Sequence, residues 1–483
     1  MVEMKNKIIL CKINVDKNNF HVPFGLLYLA DALQKSGFYP EILHIHHDNL
    51  KKIYSKVKKS NPLFVGFTTL TAPSLIPTII ASKKIKEMGI PVVWGGVHAT
   101  ILSELCVRQN YVDYAVLGEG EKTICELAHS LSNGKTINRI KGLATYTNGE
   151  YINNGFRDFI KLDDYRPVFE YLDLSEYFMQ SRGCSRIFPL VTSRGCPFMC
   201  GFCYSVYFNR RTWRGHSIDA VIEQANYLKE RYSIDGIYFH DDMIFFEKER
   251  AKKIIEKIGL PFFIEDRATG ITRNFATWLN KNDCRILYIG AESGSDRVLR
   301  MINKGIIAKD IEKAVKNLRG TRIIPNLGFI IGFPGETKED RDKTLSLIKK
   351  LERINSNLEW NLRAYNPYPR TPLWKKTIEN GFKSPDSNED WARMWRGMSL
   401  LPWLSQEEYL ARKIILVFST NKFKNRLDSK FKSFYDLFEP SIKSVFGSEK
   451  LYNPLSLNLL GKIGIKLYYS RIRRILTRPG KIV

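Results

Sequence analysis

Over residues 1–135, short β-branched or apolar runs alternate with stretches whose apolar residues recur at helical spacing, the order expected of a parallel, doubly wound sheet. Residues 7–13 read as the first strand. Residues 24–36 then set Leu26, Leu27, Leu29, Ala30 and Leu33 on one helical face and stop at Gly37, and a second strand begins at 41–44. A third strand is expected at 63–68, a helix at 75–88 closed by Gly89, and a fourth strand at 91–94. From about 188 to 374 the alternation resumes, with strands expected at 188–192, 236–240, 262–265, 286–290, 326–331 and 360–365 and helices at 218–232 and 245–258. That order fits a parallel partial barrel with its site at the carboxyl ends of the strands. Residues 133–186 lack sustained periodicity and read as a connection. Beyond 378 the pattern fades: 406–418 and 421–438 read as helices, and the Trp- and Met-rich stretch 389–403 reads as core packing. The expected organisation is a Rossmann-like α/β domain at 1–135, a connecting segment at 136–186, a partial barrel at 187–378 and a helical region at 379–483 ending in a basic amphipathic tail.

Composition narrows the setting. A chain of 483 residues has room for roughly two to four domains with cores of their own. Five of its eight cysteines (Cys11, Cys106, Cys125, Cys184 and Cys284) are scattered singly, and no leader-like segment precedes the first strand, so a reducing, cytoplasmic protein without disulfide staples is expected. No window reaches the ~18 apolar residues of a membrane span. The net charge is +25, and the stretch 451–483 holds seven basic residues and no acid, interleaved with leucine, isoleucine and tyrosine. Such a tail can lie peripherally on anionic lipid, or it can pack on its own protein with a solvated basic face.

The candidate chemistry centres on Cys196, Cys200 and Cys203, three thiols within eight residues. This spacing suits a loop wrapped around an iron–sulfur cube, one iron of which keeps no protein ligand. Zinc sites usually pair cysteines two apart and add a second pair, which this chain lacks. The spacing, with Phe202 just before the third cysteine, resembles the signature of the radical S-adenosylmethionine (SAM) enzymes, in which the open iron binds the amino and carboxylate groups of SAM. That resemblance implies further SAM-binding positions at strand ends. They are Asp241 and Asp242 toward the ammonium, Arg267 toward a carboxylate, Glu292 and Ser293 at the ribose, and Gly328, Ile330 and Gly332 laid against adenine. A second Ser-Arg-Gly-Cys ends at Cys184 without partners at ligand spacing.

Ahead of this core, strand-end loops supply Thr68-Thr69-Leu70-Thr71, Gly95-Gly96-Val97-His98 and Gly118-Glu119-Gly120-Glu121. Ligands of open α/β sheets bind beyond the carboxyl ends of strands. The succession resembles the cobalamin-binding domain of cobalamin-dependent radical SAM enzymes and implies that Thr68 to Thr71, Gly95 to His98, and Gly118, Glu119 and Gly120 border a corrin. The Asp-x-His-x-x-Gly motif that gives cobalt an imidazole elsewhere is absent, so base-off cobalamin without a histidine ligand is expected, and loss of cobalamin binding stays open. The resemblance implies a 4Fe-4S cluster, SAM and cobalamin as cofactors, an external electron donor of flavodoxin or ferredoxin type, and methyl transfer to an unactivated carbon. It identifies no catalytic residue. Non-methylating radical chemistry, an RNA methylthiotransferase and a non-enzymatic cobalamin-binding protein remain as alternatives. Enzymes of the second kind carry three further N-terminal cysteines for a second cluster, whereas this chain has only Cys11, Cys106 and Cys125 there, wrongly placed, and no nucleic-acid partner is expected. The tail tilts the expected substrate toward a small molecule or lipid-like compound.

Overall fold

The computed structural model describes residues 6–16, 21–135, 137, 139–394 and 401–404. Two seven-stranded sheets organise them. The first runs β2-β1-β3-β4-β5-β6-β7, with β1 Lys7–Asn14, β2 Tyr39–His46, β3 Phe64–Thr68, β4 Val92–Gly95, β5 Tyr114–Val116, β6 Leu143–Thr147 and β7 Glu150–Asn153. Strands β1 to β5 pair in parallel. In β1, Ile8, Ile9, Leu10 and Cys11 are all buried, as a parallel strand covered by helices on both faces requires. The chain crosses from β1 to β2 on one side and then returns to β3 on the other, so the order reverses between β1 and β3 and opens a crevice at their carboxyl ends.

The segment expected only to connect does more. Strands β6 and β7 add an antiparallel hairpin to the first sheet, so that unit extends through Asn153. Three short 3₁₀ turns follow, at Leu162–Asp164, Phe169–Tyr171 and Leu174–Tyr177.

The second sheet runs β16-β15-β14-β13-β12-β9-β8. Its strands are β8 Met179–Ser181, β9 Cys184–Leu190, β12 Gly236–Phe239, β13 Phe262–Asp266, β14 Cys284–Glu292, β15 Ile324–Ile331 and β16 Glu359–Ala364. All but β8 pair in parallel, and β8 folds back on β9. Helices such as Ile218–Tyr232, Lys248–Ile258 and Lys338–Ile354 return the chain between strands. The sheet is an open barrel, and Arg182 in the β8–β9 turn pairs with Glu359 of β16 to link its two edges at the amino-terminal end. Inside, Cys184, Ile187, Phe263 and Ile286 form an apolar plug separate from the main core. Cys184 is therefore a packing residue at the end of the barrel remote from the cysteine loop. Above the plug the Tyr238 hydroxyl donates to Glu265 Oε1 at 2.7 Å, and the Tyr238 and Tyr288 rings meet edge to face at 6.1 Å. No helix among the described residues is long and apolar enough to cross a membrane. The expected helices at 406–418 and 421–438 and the tail at 451–483 lie outside the described residues.

Candidate functional site

The chain enters the site through the two-residue strand β10 (Ser193–Arg194), paired antiparallel with β11 (Arg214–Gly215). Gly195 follows at φ +90°, and a Cβ there would lie 2.0 Å from the Thr212 carbonyl oxygen, so only glycine makes this turn. The cysteine loop is then stitched to the barrel rim. Gly201 N–H donates to Ile302 O at 2.6 Å, Leu373 N–H to Gly201 O at 2.9 Å, and Asn303 Nδ2 to Met199 O at 3.2 Å. Cys200 is buried, Cys196 and Cys203 are half-buried, and all three are free of disulfides. Burial pushes the Cys203 thiol up to about 12, and Asp242, Cys200 and Cys196 add to the effect. So crowded a set keeps its thiolates only around a cationic centre. Among the described residues, the one trio of His, Cys, Asp or Glu donors within 4.8 Å of one another is His46, His47 and Asp48. The three loop sulfurs do not form such a tight trio.

The side chains expected from the strand ends divide into two groups. Asp242 faces the open side and accepts from Ser205 Oγ at 3.2 Å and Asn209 Nδ2 at 3.1 Å; its protein surroundings raise its pKa by desolvation. Arg267 stacks 3.8 Å over the Phe198 ring, sets Nη1 3.7 Å from Cys200 Sγ and donates to the Lys304 carbonyl. Phe202 packs 5.8 Å from the Phe333 ring, joining the cysteine loop to the turn after β15. Glu292 sits just past a bulge in the β14–β15 pairing, in the left-handed region at φ +60°, with its carboxylate 2.7 Å from Lys304 Nζ. Gly328 has open space beside it, since a Cβ would meet nothing nearer than Asn361 Oδ1 at 3.9 Å. Ile330 is half-buried on the same inward face, and the Gly332 carbonyl accepts from Trp403 Nε1 at 3.2 Å.

Two expectations need correction. Asp241 is turned inward: buried, it accepts from the Thr192 N–H and Oγ1, both at 3.0 Å, and from Ser193 Oγ at 2.5 Å, so it fixes the approach to β10 and has no face for a ligand. Ser293 is fully buried and its hydroxyl bonds Thr344 Oγ1 at 3.1 Å, toward the outer helix.

The loops after β3, β4 and β5 are likewise partly spent on each other. Thr69 Oγ1 donates to Gly95 O at 2.8 Å, and Gly96, at φ +89°, is glycine because a Cβ would come within 2.8 Å of Thr69 O. Thr71 Oγ1 bonds His98 Nδ1 at 2.9 Å while His98 Nε2 bonds Asn388 Oδ1 at 3.0 Å. His98 is thus wholly buried with both ring nitrogens engaged, and burial lowers its pKa to about 4. Thr69, Thr71 and His98, all buried, therefore shape the loops from within instead of touching a ligand. Thr68, Gly95, Gly96, Val97, Gly118 and Gly120 are only part-buried, and Leu70 is 49% exposed, which leaves a hydrocarbon and backbone surface at these strand ends. A flat corrin can lie on such a surface, and the engaged His98 fits cobalamin without a histidine on cobalt.

The two halves of the site touch. Glu119 accepts from Arg194 Nη1 at 3.0 Å and from Arg214 Nη2 at 2.8 Å. Burial alone would raise its carboxyl, but the Arg214 and Arg194 guanidiniums hold it below the ordinary range. Lys304, Arg194, Glu121 and Asn388 were not assigned from sequence. The usable signal was an arginine directly ahead of the cysteine loop facing two acids spaced by one residue.

The Radical SAM superfamily model matches residues 190–348 and the B12 binding domain model residues 13–128. A methyltransferase of Pyrococcus horikoshii, described as uncharacterized, is 33% identical over 369 residues, which span 74% of this chain and 79% of that protein. The anaerobic magnesium-protoporphyrin IX monomethyl ester cyclase of Cereibacter sphaeroides is 24% identical over 383 residues, 73% of this chain and 60% of the cyclase. The radical SAM methyltransferase TsrM from Kitasatospora setae, solved with cobalamin and a 4Fe-4S cluster bound, superposes with a TM-score of 0.64 over 81% of this chain and 85% of that one, at 18% identity; this is a likeness of fold.

Proposed function

Because the chain belongs to the cobalamin-binding branch of the radical SAM superfamily, with a 4Fe-4S cluster, SAM and cobalamin as its cofactors, we propose that it is a methyltransferase placing a methyl group on an unactivated carbon of a small molecule. The observation that supports this reading is the direct Glu119–Arg194 contact, which brings the loop after β5 against the strand that enters the cysteine loop. When bound, the cofactors supply a 5′-deoxyadenosyl radical to remove a substrate hydrogen and a methyl group for the carbon left behind.

The chain's own share is binding, orientation and exclusion of water. We assign cluster ligation to Cys196, Cys200 and Cys203. Asp242, the carboxylate left open at the end of β12, is the acceptor suited to the SAM ammonium. Glu292 suits the ribose hydroxyls, and its left-handed backbone is the kind of strain that binding sites hold. Gly328, Ile330 and Gly332 offer main chain to adenine, and Phe202 braces the loop above it. Arg267 brings positive charge to the Cys200 sulfur, where it tempers the charge of a thiolate. Thr68, Leu70, Gly95, Gly96, Val97, Gly118 and Gly120 offer the corrin surface. The electron donor is external, of flavodoxin or ferredoxin type. Membrane contact and a lipid-like substrate rest on the sequence of 451–483 alone, and failure to bind anionic liposomes removes their basis.

A non-methylating radical enzyme is the second reading, favoured by the likeness to the cyclase. Anaerobic reconstitution with iron, sulfide and hydroxocobalamin, followed by SAM and a reductant, separates the two. Methyl transfer requires both 5′-deoxyadenosine and S-adenosylhomocysteine among the products; 5′-deoxyadenosine alone overturns it in favour of the second reading.

A further inference from the structure

We propose that Glu119 is a positioning residue that couples occupancy of the corrin surface to the placement of the iron–sulfur cluster. The inference deepens the function proposed above and rests on its assignment of the two loops. Glu119 and Glu121 stand one residue apart in the loop after β5, with side chains only 8% and 4% exposed. Arg194 Nη1 donates to Glu119 Oε1 at 3.0 Å and to Glu121 Oε1 at 2.8 Å. Arg214, its ladder partner, grips Glu119 through Nη1 at 3.1 Å and Nη2 at 2.8 Å. Two acids and two guanidiniums balance in charge, so the group is tolerable when buried, but each member depends on the others.

The barrel side holds the same strand independently. Asp241 anchors Thr192 and Ser193, and Arg250 Nη2 donates to Thr192 O at 2.7 Å. Arg194 itself lies 4.5 Å over the Tyr28 ring, and the Tyr28 hydroxyl bonds His216 Nε2 at 3.1 Å, with His216 Nδ1 2.9 Å from Asp163 Oδ1. Arg194 is therefore clamped from both domains. One residue separates it from Cys196, and that residue, Gly195, has no slack against Thr212 O. A shift of the Gly118–Gly120 loop on corrin binding passes through Glu119 and Arg194 to Cys196. Coupling of this kind is reciprocal: the cluster changes corrin affinity by the factor by which corrin changes cluster binding.

The test titrates hydroxocobalamin into cluster-loaded and chelator-stripped full-length protein, and records the electron paramagnetic resonance (EPR) spectrum of the reduced cluster with and without cobalamin. Wild type is expected to bind hydroxocobalamin at least about fivefold more tightly with the cluster present, the low end of ordinary coupling, and its cluster signal is expected to change on adding cobalamin. Glu119→Gln should bring the affinity ratio to about one and leave, of the signal change, only the magnetic broadening between the two bound cofactors, whereas Glu119→Asp should restore the ratio. Should Glu119→Gln fail to fold, Glu121→Gln, which removes one of the two acids on Arg194, is expected to lower the ratio. A wild type that loads both cofactors with equal affinities overturns the coupling and leaves the proposed function standing. A wild type that takes up no cobalamin overturns both. A Glu119→Gln protein that keeps the wild-type ratio overturns the role of Glu119.

Discussion

Gly195→Ala is the sharpest perturbation of the cysteine loop that leaves every donor atom in place. At φ +90° an alanine costs about 1–2 kcal/mol for the left-handed region. Its Cβ would also sit 2.0 Å from the Thr212 carbonyl oxygen, and a backbone atom cannot swing aside as a side chain can. Relief requires prising β10 from β11, which adds roughly 1–3 kcal/mol of overpacking strain. The total is about 2–5 kcal/mol, a thirtyfold or greater loss of the native loop arrangement. Gly134→Ala is the matched control: its φ is +63° but nothing lies within 4 Å, so it meets only the conformational cost, remote from the site. The assays are urea unfolding of the apoprotein, and iron and sulfide content after anaerobic reconstitution. Gly195→Ala should unfold earlier or, where the loop yields locally, load markedly less iron; Gly134→Ala should load normally. A Gly195→Ala protein with the wild-type unfolding midpoint and full iron content refutes the packing argument.

Three further outcomes are expected. Burial raises the Asp241 carboxyl from 3.8 to about 6 against the pull of Ser193 and Thr192, so the folded protein binds that proton more tightly than the unfolded chain. Its contribution to stability falls as pH rises between these values, by up to about 3 kcal/mol, and Asp241→Asn should remove that slope when unfolding midpoints at pH ~4.5 and ~7 are compared with wild type; parallel midpoints contradict this. Lys304→Met strands the buried Glu292 carboxylate and should cost about 3–5 kcal/mol, much of it recovered in the Glu292→Gln/Lys304→Met double variant, so a double-mutant cycle with coupling near zero counts against the pair. His98→Ala breaks the bonds to Thr71 and Asn388 and should destabilise by roughly 2–4 kcal/mol, yet leave the EPR spectrum of bound cob(II)alamin unchanged; loss of a nitrogen splitting in that variant would make His98 a cobalt ligand after all.

Much of the fold was legible because parallel strands covered on both faces are nearly unbroken apolar runs, and helices between them carry their own period. The expected strands at 7–13, 236–240 and 326–331 lie within two residues of β1, β12 and β15. The hairpin β6–β7 was missed because its strands are short and Thr- and Tyr-rich, half exposed at a sheet edge. Its signal was the turn: Asn148 and Gly149 both take positive φ, at 56° and 82°, the pair that suits a two-residue hairpin. At the site, sequence located the strand ends but not the direction in which each side chain points. Asp241 and Asp242 are neighbours in sequence, yet one braces β10 and the other faces the cleft, because successive residues of an extended chain point to opposite sides. Glu292 and Ser293 part as well, there because Glu292 takes a left-handed backbone conformation past a bulge. His98 looked like a ligand-loop residue until Asn388, 290 positions away, supplied its second partner. The ionic clamp on Arg194 also joins residues distant in sequence, and only the packing of the two sheets brings them together.

The central claim, that cluster and corrin share one cleft, is tested most directly by the EPR spectrum of anaerobically reconstituted protein carrying the reduced cluster and cob(II)alamin together. Two paramagnets bordering one cleft should broaden or split each other's signals, and omitting either cofactor should remove the effect. A spectrum equal to the sum of the two isolated signals would contradict the account.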